Sequence, residues 1–138
     1  MEDLGLDPKL VDKSLDFKKV NENKKRLYAA LDLGTNSCRM LIARPTGSRF
    51  EIVDAFSKSI RLGLDLERTG ELSQAGISRA LQALHVCAKK LNKFGVKNSR
   101  LVATEACRRS KNGKSFLSKV KKETGLTLEL IKPEEEAR

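Results

Sequence analysis

The chain has 138 residues, of which 39% are hydrophobic and 33% are charged, and its formal net charge is +10. This length and composition are typical of one soluble domain or of a piece of a larger one. There is no run of about 18 apolar residues and no apolar signal-peptide core, so the sequence predicts a cytoplasmic protein that does not cross a membrane. The absence of Trp and the single Tyr leave few rings for stacking on bases or sugars. Cys38, Cys87 and Cys107 are odd in number and lack CxxC spacing, which does not favour a disulfide or zinc site.

The positive charge is concentrated beyond residue 26. Residues 1–26 carry 7 basic and 6 acidic side chains, and we predict that they form a flexible N-terminal extension. The segment 89–122 carries 12 basic side chains against the single acid Glu105. Such a charge attracts polyanions such as nucleic acid, an acidic membrane surface or polyphosphate. Solvated faces of two helices would have the same composition, so this alternative stays open.

Three strands are predicted at the start of the ordered part. Short apolar or alternating runs at 27–31, 39–44 and 49–59 are typical of strands. Turn-forming residues separate them at 32–37 and 45–48. Because such short connections join antiparallel neighbours, the sequence predicts an antiparallel meander.

Helices and strands alternate in the rest of the chain. The predicted elements are a helix capped by Ser73 and ending near Phe94, a strand at 100–104, a helix ending at Gly125 and a strand at 126–131. Pro133 followed by three glutamates is typical of the first turn of a further helix. The order βββαβαβ(α) predicts an α/β fold with a mixed sheet, which is truncated where the last helix begins.

A turn of composition Asp-Leu-Gly-Thr-Asn-Ser follows the first strand and is the strongest candidate site. A strand that ends in Asp32 places a carboxylate at the strand tip, where it can hold a magnesium ion. Gly34 allows a tight turn and a close approach of the backbone to a ligand. Thr35, Asn36 and Ser37 add donors that suit phosphate oxygens. An ordinary hairpin turn has the same residue types, so both interpretations remain open.

Two further candidates lie later in the chain. Arg108 and Arg109 follow the strand ending at Thr104, and the ligands of α/β sheets gather at the carboxyl ends of strands. A guanidinium there can bind a phosphate through two hydrogen bonds, although adjacent arginines are also common as surface charge. A glutamate among residues 134–136 can act as a general base for an attacking water, although acids at a helix start also interact with the helix dipole.

Four segments, taken in order, resemble the exopolyphosphatase and guanosine pentaphosphate phosphohydrolase family. Residues 28–37 are similar to its first phosphate loop, and the Arg-Leu-Gly segment at 61–63 looks like the loop after its third strand. Residues 103–108, followed by Asn112, are similar to its Ala-Thr-x-Ala-x-Arg turn. Residues 131–138 resemble its Glu-Glu-Ala-Arg segment. The chain is therefore identified as the N-terminal part of a phosphatase domain of this family.

The resemblance implies the actin-like ATPase fold shared by sugar kinases, actin and heat-shock chaperones, here as a half-domain. It implies release of a terminal phosphate from polyphosphate or guanosine pentaphosphate, with magnesium or another divalent cation. By position, Glu136 matches the family's catalytic base, Arg108 its phosphate-binding arginine and Asp32 a metal-linked carboxylate. The residues that would line the phosphate loop are Gly34, Thr35, Asn36 and Ser37.

The sequence also departs from the family pattern. The family's second phosphate loop would follow Arg138, so we expect the isolated chain to be inactive or nearly so. Lys132-Pro133 stands where the family often has Ser-Gly, and Cys38 replaces an aromatic residue. An apolar sheet face left open by a missing helix would favour a homo-oligomer.

Two other functions remain as alternatives. A kinase of the same fold shares the Asp-Leu-Gly-Thr type of loop. A basic nucleic-acid-binding module would explain the charge, but the lack of interleaved aromatic residues and of a recognition motif does not favour it.

Overall fold

The computed structural model describes residues 26–132. The predicted N-terminal extension and the predicted last helix, with Glu136, lie outside these residues. The described part has five strands and four helices. In chain order they are β1 (Tyr28–Leu33), β2 (Ser37–Thr46), β3 (Arg49–Ser59), α1 (Leu66–Thr69), α2 (Gln74–Lys93), β4 (Asn98–Ala103), α3 (Glu105–Arg109), α4 (Gly113–Thr124) and β5 (Glu129–Leu130).

The strands form one mixed sheet in the order β3-β2-β1-β4-β5. Strands β1, β2 and β3 are antiparallel neighbours, whereas β4 pairs with β1, and β5 with β4, in parallel. Parallel neighbours need a crossover connection, and α2 and α4 lie in these two crossovers. The predicted meander and mixed sheet are therefore confirmed, and the order βββαβαβ is confirmed apart from the two short helices α1 and α3. The carboxyl ends of β1, β4 and β5 meet at one edge of the sheet.

The core lies on one face of the sheet, between the strands and the helices. Alternate residues of β1, such as Leu31 and Leu33, are buried with Met40 and Ile42 of β2. Helix α2 contributes a stripe of buried residues that includes Leu84, and all four helices place at least one apolar side chain in the same cluster. Full burial of a leucine side chain stabilises the fold by about 2 kcal/mol, so this one-sided core holds the helices on the sheet.

The longest helix has the predicted ends. The Ser73 hydroxyl accepts a hydrogen bond from the Gly76 N–H at 3.0 Å, which satisfies one of the free N–H groups of the first turn. At the other end Gly95 has a φ of +64°, the left-handed conformation that glycine adopts without strain. The N-cap and the closing glycine therefore set the length of α2.

The start of β3 alternates as predicted, but its apolar side chains face away from the core. Phe50 and Ile52 are 66% and 62% exposed, on the face away from the helices. A bulge shifts the register between β2 and β3, so that Ile42 lies opposite Asp54 and the next residue, Ala43, lies opposite Ile52. The extra residue moves the apolar side chains before the bulge to the other face of the sheet.

The second face of the sheet carries apolar side chains that no element within residues 26–132 covers. They are Tyr28, Leu41, Phe50 and Ile52, and the rings of Tyr28 and Phe50 meet edge to face at 6.2 Å. Whether a second copy of the chain covers this face stays a prediction. Within the part of the chain that the structure describes, no helix is long and apolar enough to cross a membrane.

Replacing Asp54 by asparagine should remove a pH-dependent part of the stability. Lys90 Nζ lies 2.7 Å from Asp54 Oδ2, and this hydrogen bond lowers the pKa of Asp54 below its ordinary value of 3.8. A carboxyl group with a lowered pKa stabilises the fold above its unfolded pKa, and the stabilisation is lost as the pH falls through the folded pKa. We expect wild type to exceed Asp54→Asn by about 1 kcal/mol at pH 7 and to lose this excess below about pH 4, as measured by urea unfolding. The control is Glu71→Gln, an exposed carboxylate without an ion pair among residues 26–132; a similar pH dependence in that variant would contradict the assignment.

Candidate functional site

The expected phosphate loop is the tight turn that joins β1 to β2. The Gly34 N–H donates to the Ser37 carbonyl at 2.9 Å and closes the turn. The N–H groups of Thr35 and Asn36 donate to no carbonyl within residues 26–132, which leaves two neighbouring donors for an anion. The segment therefore has the geometry of an ordinary hairpin turn. It also presents two N–H groups without a backbone acceptor at the edge where the parallel strands end.

The structure does not support the expectation that the tight turn needs a glycine at position 34. Its backbone is not in the left-handed region, so the turn does not require a glycine. A β-carbon at this position would lie 3.6 Å from the Ser37 carbonyl and 3.8 Å from Thr104 Oγ1, which are ordinary contacts. The close approach of a ligand to Gly34 stays a prediction.

Asp32 also differs from the expectation. It lies inside β1 rather than at its tip, because Leu33 still pairs with Cys38 on one side and with Ala103 on the other. The side chain of Asp32 is exposed on the face away from the helices. Its neighbour in the register of β2 is Arg39, whose side chain is exposed on the same face.

An open cavity of about 390 Å³ contains this pair of opposite charges. Its further lining residues include Ala30, Leu41, Arg100, Val102, Thr104 and Ile131. Arg39 was missing from the residues expected from the sequence. The register of the hairpin was the signal that could have found it, since residues equally far from a tight turn face each other on the same side of the sheet.

The Arg-Leu-Gly segment at 61–63 packs on the phosphate loop. The N–H groups of Ile60 and Arg61 both donate to the Asn36 carbonyl, at 2.8 and 3.0 Å. The Gly63 N–H donates to the Thr35 carbonyl at 3.0 Å. The resemblance matched this segment to the family but assigned it no role. The structure shows that its backbone holds the expected phosphate loop through hydrogen bonds.

Thr104 supports the loop from another side. Its N–H and its hydroxyl donate to the Leu33 carbonyl at 3.1 and 3.4 Å, and the residue is buried. This contact joins the start of α3 to the end of β1. Arg108, on α3, donates through its guanidinium to the Ile131 carbonyl at 2.6 Å. Arg108 is therefore held at the same edge of the sheet, next to the end of β5.

Arg109 has a different environment. Its guanidinium lies 2.6 Å from a carboxylate oxygen of Glu67 and 3.4 Å from one of Glu105. The hydrogen bond from Arg109 lowers the pKa of Glu67. These are exposed ion pairs, so the surface-charge interpretation holds for Arg109.

The turn between α3 and α4 is joined to the loop before α2. The side chain of Asn112 accepts from the Leu72 N–H at 2.8 Å and donates to the Leu72 carbonyl at 3.0 Å. The Lys111 N–H donates to the Gly70 carbonyl at 2.9 Å. Asn112, which the resemblance had matched to a family position, therefore connects the turn after Arg108 to the end of the chain segment that runs from residues 61–63 to α2.

The residues at this edge fit a magnesium ion that is held partly by its substrate. No three His, Cys, Asp or Glu side chains within residues 26–132 come together as a metal cluster. Asp32 is the carboxylate among the residues that line the cavity. Magnesium is commonly bound by one or two carboxylates together with waters and substrate phosphates, so a single aspartate suffices. The metal role of Asp32 stays a prediction, and the role of Glu136 lies outside the described residues.

Comparisons with known proteins identify the family of the chain. The Ppx/GppA phosphatase family matches residues 41–138. The chain is 35% identical over 112 residues to the guanosine-5'-triphosphate,3'-diphosphate pyrophosphatase of Photobacterium profundum. The aligned part covers 81% of this chain and 22% of that protein. It is also similar to the crystal structure of the Aquifex aeolicus Ppx/GppA family member, at 36% identity and a TM-score of 0.77, over 80% of this chain and 36% of the other. A crystal structure of an exopolyphosphatase-like protein is similar at 31% identity and a TM-score of 0.76, over 81% of this chain and 34% of the other.

These matches confirm the expected fold. The mixed sheet with its helices is that of the Ppx/GppA structures, within the actin-like ATPase fold, and they favour neither a kinase nor a nucleic-acid-binding module. The chain spans about a fifth of the length of the curated relative and about a third of the solved structures. The chain belongs to the Ppx/GppA phosphatase family.

Proposed function

We propose that this chain forms part of a phosphohydrolase that releases the terminal phosphate of inorganic polyphosphate or guanosine pentaphosphate. The observation that carries the proposal is the phosphate loop, with its free Thr35 and Asn36 N–H groups, beside the cavity that holds Asp32 and Arg39. Both substrates are polyanions with an exposed terminal phosphate. The names of the relatives, a guanosine-5'-triphosphate,3'-diphosphate pyrophosphatase and an exopolyphosphatase-like protein, support the same two substrate classes.

Each group in the site has a role that follows from its chemistry. The loop N–H groups, with the side chains of the loop, bind phosphate oxygens. Arg39 neutralises phosphate charge through two parallel hydrogen bonds, and Arg108, which is held near the end of β5, matches the family's phosphate-binding arginine. Glu136 accepts a proton from the attacking water as general base.

Asp32 is the residue that would hold a magnesium ion or another divalent cation. When bound, such an ion supplies positive charge that stabilises the transferring phosphoryl group. The exposed carboxylate of Asp32, which lines the cavity, supports this assignment.

Two further properties follow from composition and surface. We place the protein in the cytoplasm, on its charged composition. The open apolar face around Leu41 and Phe50 supports self-association, with a second copy covering the exposed side chains.

Binding of inorganic tripolyphosphate tests the proposed site directly. We expect calorimetry to show binding by the wild-type chain and about tenfold weaker binding by Arg39→Gln, because a charge-assisted pair of hydrogen bonds is lost. Arg49→Gln is the matched control: it removes the same charge from an exposed position beside the turn between β2 and β3, opposite Thr46. We expect its affinity to stay within about twofold of wild type.

Either of two results would contradict the proposal. The first is a wild-type chain that does not bind tripolyphosphate. The second is an equal loss of affinity in Arg39→Gln and Arg49→Gln, which would show that net charge alone attracts the ligand.

A further inference from the structure

Gly63 lies against the side chain of Thr35 in the phosphate loop. A β-carbon built at position 63 would overlap the γ-methyl group of Thr35. The backbone of Gly63 is not in the left-handed region, so its own conformation does not require a glycine. Space is therefore the reason for this glycine, because the Thr35 methyl group occupies the place of a side chain at position 63.

The backbone at Gly63 is held on both sides. Its N–H donates to the Thr35 carbonyl at 3.0 Å, and its carbonyl accepts from the Leu66 N–H at 3.1 Å. Three residues earlier, the Ile60 carbonyl accepts from Arg79 Nε at 2.8 Å. A new side chain at position 63 would therefore rotate Thr35 about its Cα–Cβ bond more readily than it would displace the loop.

Rotation of Thr35 would move its hydroxyl group. A threonine β-carbon carries one methyl and one hydroxyl in staggered positions, so fixing the methyl also fixes the hydroxyl. The Thr35 hydroxyl makes no hydrogen bond to another residue within 26–132, which leaves it available to a ligand.

We propose that Gly63 is a positioning residue, which sets the Thr35 side chain so that its hydroxyl donates to a phosphate oxygen of a condensed phosphate. This inference rests on the proposed function, since the phosphate is the ligand that the loop would bind. Gly63 itself touches no ligand in this arrangement and acts only through Thr35.

A pair of substitutions at the two positions tests the contact. Gly63→Ala should rotate Thr35, which is measured in the unliganded chain by the three-bond couplings from the Thr35 methyl carbon to the backbone nitrogen and carbonyl carbon. Its affinity for tripolyphosphate, measured by calorimetry, should fall about tenfold, as for the loss of one hydrogen bond to a charged group. Thr35→Ser removes the methyl group and keeps the hydroxyl, so it should bind within about threefold of wild type.

The double variant separates positioning from a general loss of structure. Without the methyl group the alanine has room, so Gly63→Ala in the Thr35→Ser background should bind as tightly as Thr35→Ser alone. The inference would be overturned if the double variant bound as weakly as Gly63→Ala, or if Gly63→Ala changed neither the couplings nor the affinity. In either case, binding of tripolyphosphate by the wild-type chain would leave the proposed function intact. A wild-type chain that does not bind tripolyphosphate would overturn the proposed function, and the phosphate role of Thr35 with it.

Discussion

Replacing Gly113 by alanine should lower the free energy of unfolding by about 3 kcal/mol, a large effect for one methyl group. A β-carbon at position 113 would overlap the carbonyl group of Cys107 and would lie 2.8 Å from Ser110 Oγ. The overlapping group belongs to the backbone, which cannot rotate away as a side chain can. Gly113 is buried and is not in the left-handed region, so the cost comes from this overlap rather than from its backbone conformation.

Urea unfolding followed by circular dichroism measures this effect. Ser118→Ala is the matched control, because it adds no atom and changes an exposed position in the same helix, α4. Its unfolding free energy should stay within about 0.5 kcal/mol of wild type. A Gly113→Ala variant as stable as Ser118→Ala would show that the turn between α3 and α4 yields easily.

The same turn determines where Arg108 lies. Helix α3 has only five residues, and the close approach of Gly113 to Cys107 lets α4 begin directly beside it. Asn112 then connects this turn to Leu72 through two hydrogen bonds. Gly113→Ala should therefore also weaken phosphate binding, since it displaces the helix that holds Arg108.

Hydrophobic periodicity predicted the elements that are long enough to show it. Helix α2 covers 20 residues and has clear end signals, and the strands of the meander alternate or run apolar between turn residues. The short helix α1, with four residues, was missed because one turn is too short for a periodic pattern. A helix was expected directly after Thr104, but α3 was not separated from the longer helix that ends at Gly125. The bulge opposite Ile42 was missed for another reason, since it depends on how two strands pair and not on either strand alone.

Local chemistry identified part of the candidate site. The loop from Gly34 to Ser37 was found because its residue types are unusual for a strand and suit an anion. Arg39 was missed because it lies within a strand, where one exposed arginine resembles any other. The extent of β1 was also misjudged, since only the pairing on both sides carries the strand through Leu33.

Local sequence patterns could not predict contacts between loops that are far apart in the sequence. Gly63 meets Thr35 across 28 positions, and Asn112 meets Leu72 across 40. The resemblance marked Gly63 and Asn112 as family positions without saying what they touch. The structure shows that the segment containing Gly63 lies between the phosphate loop and the Arg108 turn. The expected phosphate loop and the turn after Arg108 are therefore joined through hydrogen bonds to this segment, and we expect a change in either one to affect the other.

The largest expected effect on activity comes from replacing Glu136, the proposed general base. We expect a protein in which this chain replaces the matching segment of the Photobacterium relative to release phosphate from guanosine pentaphosphate or polyphosphate in the presence of magnesium. Glu136→Gln should lower kcat by a factor of about 10² to 10⁴ and change KM little, because the amide keeps the shape of the side chain but cannot accept the proton. The assay is phosphate release over a range of substrate concentrations.

Glu135→Gln is the control for Glu136→Gln, since it makes the same chemical change one position earlier. We expect it to keep kcat within about threefold of the unmodified protein, because the proposal assigns the proton transfer to Glu136 alone. Equal losses in the two variants would show that the negative charge of the segment matters, for instance through a bound cation, and that Glu136 is not the base.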